Sequence, residues 1–168
     1  MISGKDIDIL RSIVRAGQDY GAIKRLLAEV HWEIDEDDTD LGFLRTFIPN
    51  GADKRYRLLI GYRDPHHPPY SFLTFSWFPD SAEHLAAFNL AFRSAAETIT
   101  RHLGAPAASG DHRLSFRAWS YSYHRWSLPE GEFTLVQDEF DIQDGMDVSL
   151  WVQPVGTPIE KTLHHGTT

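Results

Sequence analysis

The chain has 168 residues, 24 acidic side chains against 16 basic ones for a net charge of −8, and no cysteine. That length predicts one domain, 1–168, with enough buried surface to need no covalent staples. The missing thiols exclude disulfides and sulfur-ligated metals, and the acidic balance argues against nucleic acid, whose phosphates demand Lys and Arg.

The first 30 residues read as helical. Ser3 and Asp6 have capping-box spacing, and Ile7, Leu10, Ile13 and Val14 form one apolar stripe. Gly17 and Gly21 weaken a continuous helix, so a break is expected at 16–19. A second piece then runs over about 19–29 with Ile23, Leu26, Leu27 and Val30 inward. A strand can begin at 31–34. The run 35–40 (DEDDTD) is expected to be an exposed loop, because like charges repel and Asp favours turns. Residues 41–48 are compatible with a short strand, 55–63 and 70–78 with longer ones. The last of these is partly apolar on both faces, as a central strand is.

The best-specified element is a helix over 81–103. Asp80 and Glu83 have N-terminal cap spacing, and Leu85, Phe88, Phe92, Ala95, Ile99 and Leu103 recur every three or four residues. Gly104 and Pro106 end it. Residues 107–111 read as a flexible connector. Three strands follow, over 114–126, 132–140 and 146–153, joined by Leu128-Pro129-Glu130-Gly131 and by Gln143-Asp144-Gly145. Such short connections imply antiparallel hairpins, and the tail after about 155 is expected to fray. The order predicts an α+β fold: a mainly antiparallel sheet of five to seven strands with helices packed on one face.

Little in the chain has the spacing of chemistry. An EF-hand register on Gly145 places Phe140, Ile142 and Trp151 where oxygen ligands belong, and one on Gly42 also fails. His66-His67 alternate in an extended loop and His164-His165 sit in the tail, so no metal set emerges. Ser122 and His124 share a strand face and are compatible with a nucleophile–base pair, yet no nucleophile elbow or oxyanion-hole motif accompanies them. No catalytic residue, cofactor or metal ligand is therefore assigned. Two acidic segments, 33–40 and 138–147, stand out, together with the aromatic stretch WSYSYHRW at 119–126. As strands, 138–147 forms a hairpin with carboxylates along its rim, and Trp119, Tyr121, Tyr123 and Arg125 fall on one face. Carboxylates steer a basic partner, and Tyr and Trp supply desolvated anchors. The expected partner-binding set is Asp35, Asp37, Asp38, Trp119, Tyr121, Tyr123, Asp141, Asp144 and Asp147. An aromatic-lined pocket for a small ligand near 119–126 is the alternative, and a hydrolase or metal-dependent enzyme a more distant one.

The run HLGAP at 102–106, followed by W…W…EGEFTLVQDEFDIQDGMDVSLWVQP through Pro154, resembles small actinomycete proteins of unknown function. Some of these are similar to immunity proteins of polymorphic toxin systems. The resemblance covers mainly 80–154. It implies a neutralising role against a basic toxin domain and carries over no site residues. No apolar run approaches the ~20 residues of a membrane helix, and MISGKDIDIL lacks a leader pattern. The expectation is a cytoplasmic protein without a membrane partner.

Overall fold

The computed structural model describes residues 2–47, 57–61, 71–114, 116–139 and 145–163. In chain order the elements are α1 (Gly4–Ala16), α2 (Tyr20–Glu29), β1 (Glu33–Asp38), β2 (Phe43–Phe47), β3 (Arg57–Gly61) and β4 (Ser71–Phe78). They continue with α3 (Leu85–Leu103), β5 (Ala108–His112), β6 (Tyr121–Leu128), β7 (Gly131–Asp138), β8 (Met146–Gln153) and α4 (Glu160–Leu163). The fold is α+β, and every strand pair is antiparallel. The sheet has eight strands, in the order β1-β2-β3-β4-β8-β7-β6-β5, where five to seven were expected. The chain thus lays down two four-stranded meanders, each preceded by helix, that meet where β4 pairs with β8.

The first helix is capped as its sequence predicts. The Asp6 amide donates to Ser3 Oγ at 3.3 Å and the Ser3 amide to Asp6 Oδ2 at 2.8 Å. Gly17 breaks the helix with φ 60°, a conformation an L side chain resists. Asp19 then caps α2 by accepting from the Ala22 amide at 2.9 Å. The helix α3 departs from expectation at its start. A 3-10 turn over Ala82–His84 precedes it, and no side chain caps it. Asp80 is instead drawn to Arg117.

Two stretches expected as loop are strand. Residues 35–38 continue the strand that begins at Glu33, as β1. Its repulsion is relieved because Arg45 on the neighbouring strand pairs with Asp35 at 2.5 Å and Glu36 at 3.3 Å, and Lys24 of α2 reaches Asp37 at 2.6 Å. The supposed connector 107–111 is largely β5, an edge strand whose Gly110 lies against the Tyr123 ring. Conversely, residues 114 and 116–120 are not strand, and β6 begins only at Tyr121.

The main core lies between α1–α3 and one face of the sheet. Phe88, Phe92, Ala95 and Ile99 of α3 join Trp126, Phe133, Leu135, Val148, Leu150 and Val152 there. The described part of the tail, through Leu163, does not fray as expected. Residues 154–163 close over the opposite face, so helices lie on both. The Gly156 amide donates to Glu132 Oε1 at 3.1 Å, and the Thr162 hydroxyl to Gln153 Oε1 at 2.6 Å. Leu163 packs on Val136 and Trp151.

The two-residue turn between β6 and β7 is tied to α1, where Glu130 accepts from both Arg11 and Arg15. Gly131, the first residue after it, is required by space. A Cβ there would lie 2.6 Å from the Gln153 carbonyl oxygen, a backbone atom in the sheet. Gly131→Ala is expected to cost about 1–3 kcal/mol, read as a lower urea midpoint at unchanged slope. A wild-type midpoint would mean that the two strands separate there without penalty.

Candidate functional site

The candidate residues read from the sequence do not converge. Asp35, Asp37 and Asp38 lie on β1, at one edge of the sheet, while Tyr121 and Tyr123 lie on β6, next to the other edge. Asp141 and Asp144 lie outside the described residues. Asp147 is buried in β8 rather than lining a rim, and its carboxylate accepts from Ser149 Oγ at 2.6 Å. The single aromatic face is also corrected. Trp119 precedes the strand, Tyr121 packs against Phe88 of α3, and Tyr123 packs with Val136 and Trp151 on the far face. Ser122 and His124 form no nucleophile–base pair. The Ser122 hydroxyl donates to Asp111 at 2.8 Å, and His124 Nδ1 is buried with no hydrogen-bond partner among the described residues. Among the described residues, no three His, Asp or Glu side chains are grouped to hold a metal ion.

Three arrangements remain. The first is a buried network at the end of β6 and β7. The Glu139 carboxylate takes two bonds from the Arg117 guanidinium, from Nε at 2.7 Å and Nη2 at 2.6 Å, and a third from the Tyr121 hydroxyl. Trp119 Nε1 donates to the Tyr121 oxygen at 2.8 Å. Arg117 also bonds Asp80 and stacks over Phe116 and Trp119, its guanidinium 5.0 and 5.5 Å from the ring centres. The Glu139 hydrogen bond, above all, holds Arg117 in its charged form, while burial and then Glu139 raise the Tyr121 hydroxyl well above its usual value. A cation that cannot release its proton and a phenol that stays neutral suit fastening, not proton transfer. The network pins 116–121 over the sheet end. Of this network only Trp119 and Tyr121 stand out in the sequence, because Arg117 and Glu139 are 22 residues apart and outside any shared motif.

The second is the cross-strand pair Asp138 and Asp147, opposite each other in register and both buried. Burial pushes the Asp138 carboxyl up to about 7, opposed by its bond from the Glu139 amide and helped by the neighbouring Glu139 charge. The third is a cleft between α3 and β6, lined by Phe92, Ala96, Thr100 and His124 with Arg93, Glu97 and Arg101 on its rim.

Comparison of the chain with family models, curated proteins and solved structures finds no match. Among the described residues, no helix is long and apolar enough to cross a membrane.

Two outcomes follow from the buried carboxylates. Glu139→Ala leaves the Arg117 cation half-buried without its main partner, and is expected to cost about 3–5 kcal/mol in chemical denaturation. A loss below about 1 kcal/mol would show that water replaces the carboxylate freely. Asp138 behaves in the opposite sense. The folded chain keeps its proton up to about pH 7, whereas the unfolded chain releases it near pH 4. Stability from this group is therefore complete below about pH 4 and lost as pH rises to about 7. Asp138→Asn should remove that slope, so its advantage over wild type grows between pH 4.5 and pH 8 by on the order of 2–4 kcal/mol. Parallel stability–pH curves for the two proteins would contradict the assignment.

Proposed function

We propose that the chain is a non-catalytic binding domain that docks a basic protein surface through the acidic sheet edge formed by β1 and the turn after it. The observation that carries this reading is the composition of that edge. Six carboxylates lie between Glu33 and Asp40, and among the described residues Arg45 and Lys24 pair with Asp35, Glu36 and Asp37. Among them stand two exposed aliphatics, Ile34 at 36 % and Leu41 at 68 % of full exposure. The carboxylates supply long-range attraction and register, and the aliphatics supply a contact that water leaves.

The turn is held in place from beneath. The Tyr20 hydroxyl donates to the Gly42 carbonyl at 2.8 Å, and Lys24 to Thr39 Oγ1 at 3.0 Å. Lys24 also holds the Asp37 carboxyl below the ordinary carboxylate range. A preorganised surface loses less entropy on binding. The same charges keep the unpaired edge from joining another sheet. The resemblance of 80–154 to immunity-like proteins suggests a toxin domain as the partner. The earlier set is narrowed by this reading to Asp35, Asp37 and Asp38, with Glu33, Asp40, Ile34 and Leu41 added. Tyr121 and Asp147 are too deeply buried to touch a partner.

The test is a quantitative one on a partner captured from the native host. Reversing Glu33, Asp35 and Asp40 to Lys should slow association by at least about tenfold at low salt and flatten its salt dependence. Leu41→Ala should speed dissociation. Reversing Glu83 and Glu160, exposed carboxylates elsewhere, should change neither. Equal effects from both reversal sets would reduce the edge to one part of a general net charge, and wild-type rates in the first set would remove it as the docking surface.

A further inference from the structure

The cleft between α3 and β6 has a chemistry that the rest of this acidic surface lacks. Its volume is about 500 Å³, within the range of small-ligand sites. The helix supplies one wall from residues four apart, Phe92, Ala96 and Thr100, which share a face. The strand supplies the other from His124, whose ring meets Phe92 edge-on at 5.2 Å and lies 6.0 Å from Trp126. Trp126 is itself locked, its Nε1 donating to the Gly104 carbonyl at 2.9 Å. The cleft is therefore aromatic at Phe92 and His124, with the fixed Trp126 ring behind His124.

The rim is a second row with the same spacing, Arg93, Glu97 and Arg101. Arg and Glu four apart on a helix ordinarily pair with each other. Here neither guanidinium has a hydrogen-bond or ion-pair partner among the described residues, unlike Arg11, Arg45 and Arg117. His124 presents its ring to the cleft, while its Nδ1 is shielded from solvent and has no partner among the described residues.

We propose that this cleft binds a small organic monoanion, a carboxylate on a flat apolar body. The body lies against Phe92, Ala96 and the His124 ring, and the carboxylate is taken by the Arg93 and Arg101 guanidiniums. Two cations against Glu97 leave one net positive charge, which matches a monoanion better than a phosphate dianion. A guanidinium offers a planar fork that fits a carboxylate. The His124 imidazole, whose pKa is lowered by its burial, offers its ring rather than a hydrogen-bonding atom to the body. This site lies near the sheet edge remote from β1 and is independent of the docking reading.

The test uses benzoate as the probe, with benzamide as its neutral counterpart, on the full chain at low ionic strength. Binding is followed by the His124 ring resonances in NMR and by calorimetry. Benzoate should shift the His124 signals saturably and bind at least about tenfold more tightly than benzamide, the difference expected when charge-assisted bonds are lost. Arg93→Gln with Arg101→Gln should abolish that preference without lowering thermal stability, since both side chains are exposed. Glu97→Gln should strengthen benzoate binding, an effect of opposite sign that no loss of structure produces. Equal affinity for benzoate and benzamide would overturn the anionic class, as would a preference that survives the double Arg variant. No saturable shift at His124 with either probe up to about 20 mM, well beyond the millimolar affinity that ~4 kcal/mol represents, would overturn the cleft as a site.

Discussion

Every residue of β7 and β8 is buried, and that constraint organises the rest of the molecule. These two strands lie inside the sheet with helices α1–α3 over one face and the C-terminal segment over the other. Polar side chains on them cannot reach bulk water, so each must find its match inside. Glu132 is met by Arg125 at 3.3 Å, by the Ser127 hydroxyl at 2.6 Å and by the Gly156 amide. Just beyond β7, Glu139 is met by Arg117 and Tyr121. The positions of the tail and of the 116–121 stretch follow from this, since these segments carry the matching groups. The matching is incomplete at Thr134 Oγ1 and Gln153 Nε2, which are buried without a partner among the described residues.

How far the sequence could be read depended on whether the deciding interactions were local. The helix boundaries of α1 and α2 were legible because Ser3, Asp6, Gly17 and Asp19 act within a turn of their own position. The hairpins of β6 to β8 were legible from their connections and alternation. The continuation of β1 through 35–38 was not, because the charges that argue against it are answered by Arg45 and Lys24, neither of which is contiguous with the run. The N-terminus of α3 failed for a related reason. Asp80 had the spacing of a cap, but a partner 37 residues away, Arg117, offered it a charged bond. The tail was misjudged from composition, since its Gly, Pro and Thr content says nothing about the buried Glu132 and Gln153 that hold it.

The candidate sites show the same division. Carboxylates could be counted in the sequence, yet whether a carboxylate faces a partner or a core depends on which strand sits at an edge. Asp37 and Asp147 look alike in sequence and end in opposite environments, one exposed on the outermost strand and one enclosed. The His124 cleft left a readable trace in the helical spacing of Arg93, Glu97 and Arg101. What could not be read was that β6 would run beneath them.

The strand order also bears on how the chain reaches this state. Each meander pairs strands that are neighbours in sequence, so its hydrogen bonds close short loops. Only β4 and β8 join residues about 70 to 80 positions apart. Those two strands are the last of their respective halves, so the seam cannot zip until the second meander has been made through β8. Until then β4 presents an open edge without its permanent neighbour, and this is the point at which a nascent or thermally opened molecule is most exposed to pairing with another copy of itself.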